Sequence, residues 1–176
     1  ISRDAGNKQS ELSTLIVLGC HHEQQHQELL LTDMLHHLSC NPIKPAYIKR
    51  KADAPGKAVP VKFVSFEGGL VDIGFEGDGF FYDNEGPRHK TYLRPFAIAD
   101  RAVTNGEWLQ FIADGGYAKP QLWLSDGWAK RETEDWQAAG YWRQIDGAWH
   151  TMTLGGLHAV DPAAPVMHVS YYEADA

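Results

Sequence analysis

The opening stretch of the chain carries its apolar residues at a helical spacing. Leu12, Leu15, Ile16 and Gly19, then His22, His26, Leu29, Leu30, Asp33 and His37, fall on one stripe at about 100° per residue. No proline interrupts the run before Pro42. The pattern predicts one long helix over residues 9–39. It should stop at Cys40-Asn41-Pro42, where asparagine and proline are helix terminators. One helix cannot bury such a stripe alone, so partner helices are expected, mainly upstream of Ile1.

The texture then changes twice. Residues 42–60 read as a linker, punctuated by Pro42, Pro45, Pro55, Gly56 and Pro60 and locally basic through Lys44, Lys49, Arg50, Lys51 and Lys57. A solvated tether fits better than a nucleic-acid contact, because Tyr47 is the one aromatic there to stack on a base. From Val61 the pattern is one of short strands, over 61–66, 70–74 and 91–99, with a loop rich in Gly, Asp and Asn between Glu76 and His89. Thr104 and Glu107 form a capping box that opens a helix to about Ala113, stopped by Gly115-Gly116. The stretch to Pro165 reads as irregular and aromatic, with Trp123, Trp128, Trp136, Tyr141, Trp142 and Trp149. Val166–Val169 reads as a short strand, and Ser170 with Glu173 forms a second capping box. The chain opens on Ile1 and ends inside this last helix pattern. It is therefore expected to be a fragment, with 1–41 the end of a helical bundle, 42–60 a linker and 61–176 a truncated second domain with exposed hydrophobic and tryptophan faces.

Composition narrows the class. A length of 176 residues allows one domain, or one and part of another. Hydrophobic residues at 43% and charged residues at 22% are those of a globular chain rather than a disordered one. Sixteen Lys and Arg against 23 Asp and Glu give a net charge of −7, a poor footprint for nucleic acid or an anionic membrane. No apolar run reaches the ~18–20 residues of a membrane span. Cys20 and Cys40 make neither a disulfide framework nor a CxxC pair, which points to a reducing, cytoplasmic setting.

The sharpest chemistry lies in His22-Glu23-Gln24-Gln25-His26-Gln27-Glu28. Positions i and i+4 of a helix sit about 40° apart and one turn up, so both imidazoles can reach one metal ion. Three readings stay open. The run matches HExxH, which makes a zinc hydrolase with Glu23 as base a rival. It can also be a polar helix face in a non-catalytic ligand-binding module. Glu28 lies about 200° from His26 around the helix, and Asp33 about 10 Å further along the axis, so neither can share an ion with it. His21, His36 and His37 read as surface or bundle-packing residues rather than ligands. A third ligand must come from an upstream helix, from His89 or from His168. The acids of the loop Asp78–His89 lack EF-hand spacing and read as turn-stiffening groups. The tryptophans either pack the second domain or line a pocket for a cation.

Two sets of residues together resemble a known family. The run His22–Asp33 followed by Cys40-Asn41-Pro42 and Pro45-Ala46-Tyr47 resembles the iron-binding helix and linker of ergothioneine-biosynthesis sulfoxide synthases, the hercynine oxygenases. Downstream, Gly68-Gly69, Asp83–His89, Val103–Trp108, Phe111-Ile112, Gly115–Tyr117 and Pro165–Ser170 are similar to the formylglycine-generating-enzyme-like (sulfatase-modifying-factor) domain. The resemblance implies an α+β chain: the end of a DinB-like helical bundle, then the first part of a C-type-lectin-like formylglycine-generating-enzyme-like domain. It implies Fe(2+) held by three histidines, here His22 and His26 with a third upstream, and Gln25 beside the bound histidine betaine. The implied reaction uses O2 to join a cysteinyl thiol to the imidazole of hercynine and to oxidise the sulfur to a sulfoxide. The implied partners are thus small molecules, with no nucleic acid and no membrane. By the same resemblance the catalytic tyrosine lies further along the second domain and the thiol-binding arginines lie upstream. Formylglycine-generating activity, which needs a pair of active-site cysteines, is not expected, because Cys20 and Cys40 both lie outside residues 61–176.

Overall fold

The computed structural model describes residues 2–49 and 56–176, with side chains from Gln9 onward. Ile1 and the Arg50, Lys51 and Pro55 of the expected linker lie outside the described residues. Helix α1 runs unbroken over Ser2–Cys40, one residue past the expected end and several before the expected start. It stops as asparagine and proline require. The Ile43 N–H donates to Asn41 Oδ1 at 3.1 Å, and the Lys44 N–H to the Asn41 carbonyl at 3.0 Å, closing a turn where the helix would have continued.

The chain divides into two compact units, residues 1–33 with 63–98 and residues 34–62 with 99–176. The strands of the first unit are short. β1 (Phe63–Phe66) pairs with β4 (Phe96–Ala99), and β2 (Gly69–Ile73) pairs antiparallel with β3 (His89–Leu93), Gly69 opposite Leu93 and Ile73 opposite His89. The single strand expected over 91–99 is therefore two. Pro95 has no N–H to give a ladder, and the chain changes partner across it. Gly68 turns β1 into β2 at φ 73°, and a Cβ there would lie 2.4 Å from the Leu93 carbonyl oxygen, so only glycine fits. The loop before β3 is stiffened by its acids as expected. Glu85 accepts from the Tyr82 N–H at 2.8 Å, and Glu76 pairs with Arg88 at 3.1 Å.

The second unit holds the core. Helix α2 (Asn105–Ala113) starts at the capping box read from the sequence: Thr104 Oγ1 accepts from the Glu107 N–H at 3.3 Å, and the Glu107 carboxylate accepts from the Thr104 N–H at 2.8 Å. Its Trp108 is buried with Tyr117, Trp123 and Ala139, and Phe111, Trp128, Trp136, Trp142 and Tyr172 pack around them. The polar atoms of the buried Trp108 and Tyr117 are paired. Trp108 Nε1–H donates to Tyr117 Oη at 3.3 Å, and the Tyr117 hydroxyl donates to Glu173 Oε1 at 2.6 Å. Burial, with the Glu173 carboxylate bonded beside it, pushes the Tyr117 phenol well above its ordinary range, so it stays a donor. Glu173 also caps α4 (Tyr171–Asp175) by accepting from the Ser170 N–H at 2.7 Å. One buried carboxylate thus joins a helix start to the aromatic core.

Three features depart from the expected pattern. The stretch to Pro165 is not irregular: it contains α3 (Ser125–Glu134) and an antiparallel sheet of β5 (Trp142–Ile145), β6 (Ala148–Thr153) and β7 (Gly156–Ala159) in that order. Residues 166–169 form no strand. Pro165 makes a single bridge to Thr104, and His168, at φ 59°, turns the chain out of the extended region. The expected tether is also held down where it is described. The Tyr47 and Ile48 N–H groups both donate to the Leu154 carbonyl, at 2.9 and 3.2 Å, and Arg101 Nε donates to the Val59 carbonyl at 2.7 Å. No helix among the described residues is long and apolar enough to cross a membrane.

Candidate metal centre

The stripe of α1 leaves its apolar side chains in solvent: Leu15 is 63% and Leu30 60% exposed. Between them the helix places the histidine pair. The rings of His22 and His26 lie 4.5 Å apart, centroid to centroid, at 88°. His22, Glu23 and His26 each offer a ligand atom, and the three atoms lie within 4.8 Å of one another. This follows from helix geometry alone, since i, i+1 and i+4 share a half-turn and long side chains can converge above it. Among the described residues no other group of three or more His, Cys, Asp or Glu side chains converges in this way. Glu28 and Asp33 are outside the group, as their angular and axial offsets require. His89 and His168 are outside it too. His89 Nδ1 lies 2.9 Å from the Pro87 carbonyl, and His168 packs edge-on against Tyr141 at 4.7 Å. Burial lowers the pKa of His168, favouring the neutral ring. Gln25, one position before His26, is exposed.

The donor set fits a borderline divalent metal. Two imidazoles and a carboxylate suit iron(II) or zinc, and among the described residues none of the three side chains makes a hydrogen bond elsewhere. Two imidazoles alone leave most positions of an octahedral ion open, which an oxygenase needs and a structural zinc site does not tolerate.

Of the remaining histidines of α1, His21 and His36 make contacts beyond the helix, and His37 is exposed. His21 stacks on Phe80 of the β2–β3 loop, ring centroids 4.0 Å apart and 11° from parallel. That contact clamps the loop to the turn bearing His22, and spacing along the helix gave no sign of it. Near the end of the helix, His36 Nδ1 lies 3.4 Å from the Tyr141 hydroxyl and His36 Nε2 lies 3.7 Å from Cys40 Sγ. Cys20 and Cys40 are both free and exposed.

Known proteins match along most of the chain. Over 157 residues it is 34% identical to the hercynine oxygenase of Mycolicibacterium smegmatis, covering 88% of this chain and 35% of that protein. Over 94 residues it is 39% identical to the hercynine oxygenase of Mycobacterium tuberculosis, covering 53% of this chain and 22% of that one. The inactive C-alpha-formylglycine-generating enzyme 2 of Bos taurus is 28% identical over 134 residues, 69% of this chain and 44% of that protein. The chain thus spans about a third or less of the hercynine oxygenases it resembles. The sulfatase-modifying factor enzyme 1-like domain matches residues 50–176, nearly three-quarters of the sequence, and the chain belongs to that family.

Proposed function

We propose that this chain is part of an iron-dependent sulfoxide synthase of the hercynine oxygenase type, working in the cytoplasm on hercynine, a cysteinyl thiol and O2. The observation that carries this reading is the convergence of His22 and His26 on a helix that leads into a formylglycine-generating-enzyme-like domain. The similarity to two hercynine oxygenases supports it. The helix then belongs to a DinB-like bundle, residues 42–60 join it to the second domain, and that domain begins at Val61.

His22 and His26 would hold Fe(2+) as neutral imidazoles, with a third histidine supplied by a preceding helix. Bound iron would supply the O2 chemistry that sulfur oxidation needs. The chain's own contribution is placement. Adjacent helical turns hold the His22 and His26 backbone positions about 6 Å apart along the axis, and from there the two rings converge to 4.5 Å. Gln25 projects about 100° away from His26, beside the ion rather than toward it, and would bond the histidine betaine. Phe80, stacked on His21, keeps the β2–β3 loop over the turn that carries His22.

The test compares three variants of a full-length protein carrying this segment. His22→Ala and His26→Ala should each lose iron and O2-dependent sulfoxide formation together. Mutating a residue that only supports a metal ligand costs about 10–100-fold in affinity, and losing a ligand costs more. Gln25→Ala should keep its iron and weaken hercynine binding by about 1–3 kcal/mol, the cost of an unpaired polar group. Metal analysis beside a hercynine titration reads both effects. Equal iron loss in Gln25→Ala and His26→Ala would overturn the assignment of roles.

One observation favours a second reading. The Glu23 carboxylate lies within 4.8 Å of a ligand atom of each imidazole, close enough to serve as base beside a zinc held by the two histidines. Zinc rather than iron in the isolated protein, with hydrolysis lost in Glu23→Gln, would establish it.

A further inference from the structure

Asn105-Gly106 is the one Asn-Gly pair in the chain. Glycine places no side chain beside its own nitrogen, so in this pair the backbone nitrogen attacks the preceding side-chain amide with the least hindrance. In an open chain such a pair loses ammonia through a cyclic imide. In the folded second unit it is held shut.

Residues 161–166 lie across the start of α2 and occupy the groups that the reaction needs. The Gly106 N–H, whose nitrogen would be the nucleophile, donates to the Pro162 carbonyl at 2.8 Å. The Asn105 side-chain amide, which would be attacked, donates to the Asp161 carbonyl at 2.8 Å. The Asn105 N–H donates to the Ala164 carbonyl at 2.8 Å, and the Val166 N–H to the Val103 carbonyl at 2.9 Å, so this strap is fastened on both sides of the pair. Asn105 is 7% exposed. A Cβ on residue 106 would lie 3.0 Å from the Pro162 carbonyl oxygen, so the strap sits directly on the glycine. Asp161 braces the strap from within, its carboxylate accepting from the Ala163 N–H at 3.0 Å. Asn105 is also the first residue of α2, and closing the imide ring turns it out of the helical backbone.

We propose that Asn105 is a deamidation site gated by the strap of residues 161–166. When the strap lifts, the Gly106 nitrogen bonds to Asn105 Cγ, the Cγ–Nδ2 bond breaks, and ammonia leaves with the proton that the Gly106 nitrogen gives up. Water then opens the imide at either carbonyl, leaving aspartate or isoaspartate at position 105. No oxidant or reductant takes part. Both products are anionic and lack the amide hydrogens that the Asp161 carbonyl accepts. A carboxylate returned to that place would face an acceptor with no hydrogen between them, which opposes closure of the strap. The inference needs no metal and is independent of the reading of the metal centre.

Incubation of the full chain at mildly alkaline pH tests it, with released ammonia measured and the products at residue 105 resolved by peptide mapping. The folded chain should deamidate Asn105 at least tenfold more slowly than the same chain in urea. Asp161→Ala removes the brace but keeps the carbonyl that meets Asn105, and it should raise the folded rate several-fold. Asn105→Asp, which makes one product directly, should lower the urea midpoint. Equal rates in the folded and unfolded chain, or a folded rate unchanged by Asp161→Ala, would overturn the gating. An Asn105→Asp chain as stable as its parent would overturn the block on closure.

Discussion

Helices α1 and α2 solve opposite problems. α1 is 39 residues long, and its apolar stripe stands in solvent from Leu12 to Leu30. α2 has nine residues, yet Asn105 and Trp108 are buried and its first turn is held by both bonds of its capping box. The short helix is fixed by long-range contacts. The Asn105 side-chain amide donates to the Asp161 carbonyl at 2.8 Å, and Trp108 reaches through Tyr117 to Glu173. In α1 what is fixed is the spacing of side chains along one rod. The convergence of the two imidazoles needs only that spacing, whereas a core needs neighbours on every side. Candidate ligands can thus sit on a helix that contributes little burial of its own among the described residues.

The largest effect should come from breaking the better-packed side. Trp108→Ala removes an indole that is 7% exposed and leaves the Tyr117 hydroxyl without its donor. Large-to-small changes of a buried aromatic cost about 3–5 kcal/mol, so a loss of about 4 kcal/mol is expected. Urea denaturation followed by far-ultraviolet circular dichroism measures it. A loss below about 1 kcal/mol would mean that the aromatic cluster does not hold this unit together.

A smaller effect separates the helix start from the core beneath it. The Glu107 carboxyl is held down to about 2 from its ordinary 4.5, chiefly by the two-pronged Arg101 guanidinium at 2.8 and 2.9 Å and then by the Thr104 N–H. A depressed carboxyl contributes stability that is present in full above its unfolded value and is lost as pH falls through the folded one. Stability should therefore fall between about pH 4.5 and pH 2, and fall less steeply in Glu107→Gln. Both residues are partly exposed, so added salt should shrink the difference. Denaturant midpoints taken across that range in both proteins decide it, and parallel curves would remove Glu107 from the account.

What the sequence made legible was local. The run of α1 and its stop at Asn41-Pro42, the histidine pair at i and i+4, and both capping boxes depend on residues at most a few positions apart. What it hid was settled at a distance. α3 follows Leu124, which makes no capping bond, and its sequence SDGWAKRETE shows no apolar stripe; Gly127 is instead placed by Tyr172, on whose ring a Cβ at 127 would intrude, and Trp128 meets Trp123, ring centroids 6.3 Å apart. β5 to β7 carry Arg, Gln, His and Thr among their tryptophans, so alternation was masked where pairing was strong. His168 looked like a strand residue until its left-handed backbone, bonded through its carbonyl to the Gly140 N–H at 2.8 Å, showed a turn. The His21–Phe80 stack links positions 59 residues apart, and no periodicity could have predicted it.

The smallest effect is expected on α1 and is the sharpest check on the contrast. Leu15 is 63% exposed, so Leu15→Ala removes little buried area and replaces leucine with the best helix former. The gain in propensity and the loss of side-chain contact nearly cancel. The stability of this chain should change by no more than about 0.5 kcal/mol, as for surface substitutions generally. The same substitution at a covered position would cost about 2–5 kcal/mol. Urea midpoints over a range of protein concentrations distinguish the cases. A cost above about 2 kcal/mol at every concentration would mean that the stripe is packed within one chain. A cost that grows with concentration would mean that a second copy covers it. A change near zero throughout would leave α1 as a rod that presents its histidines without a core of its own.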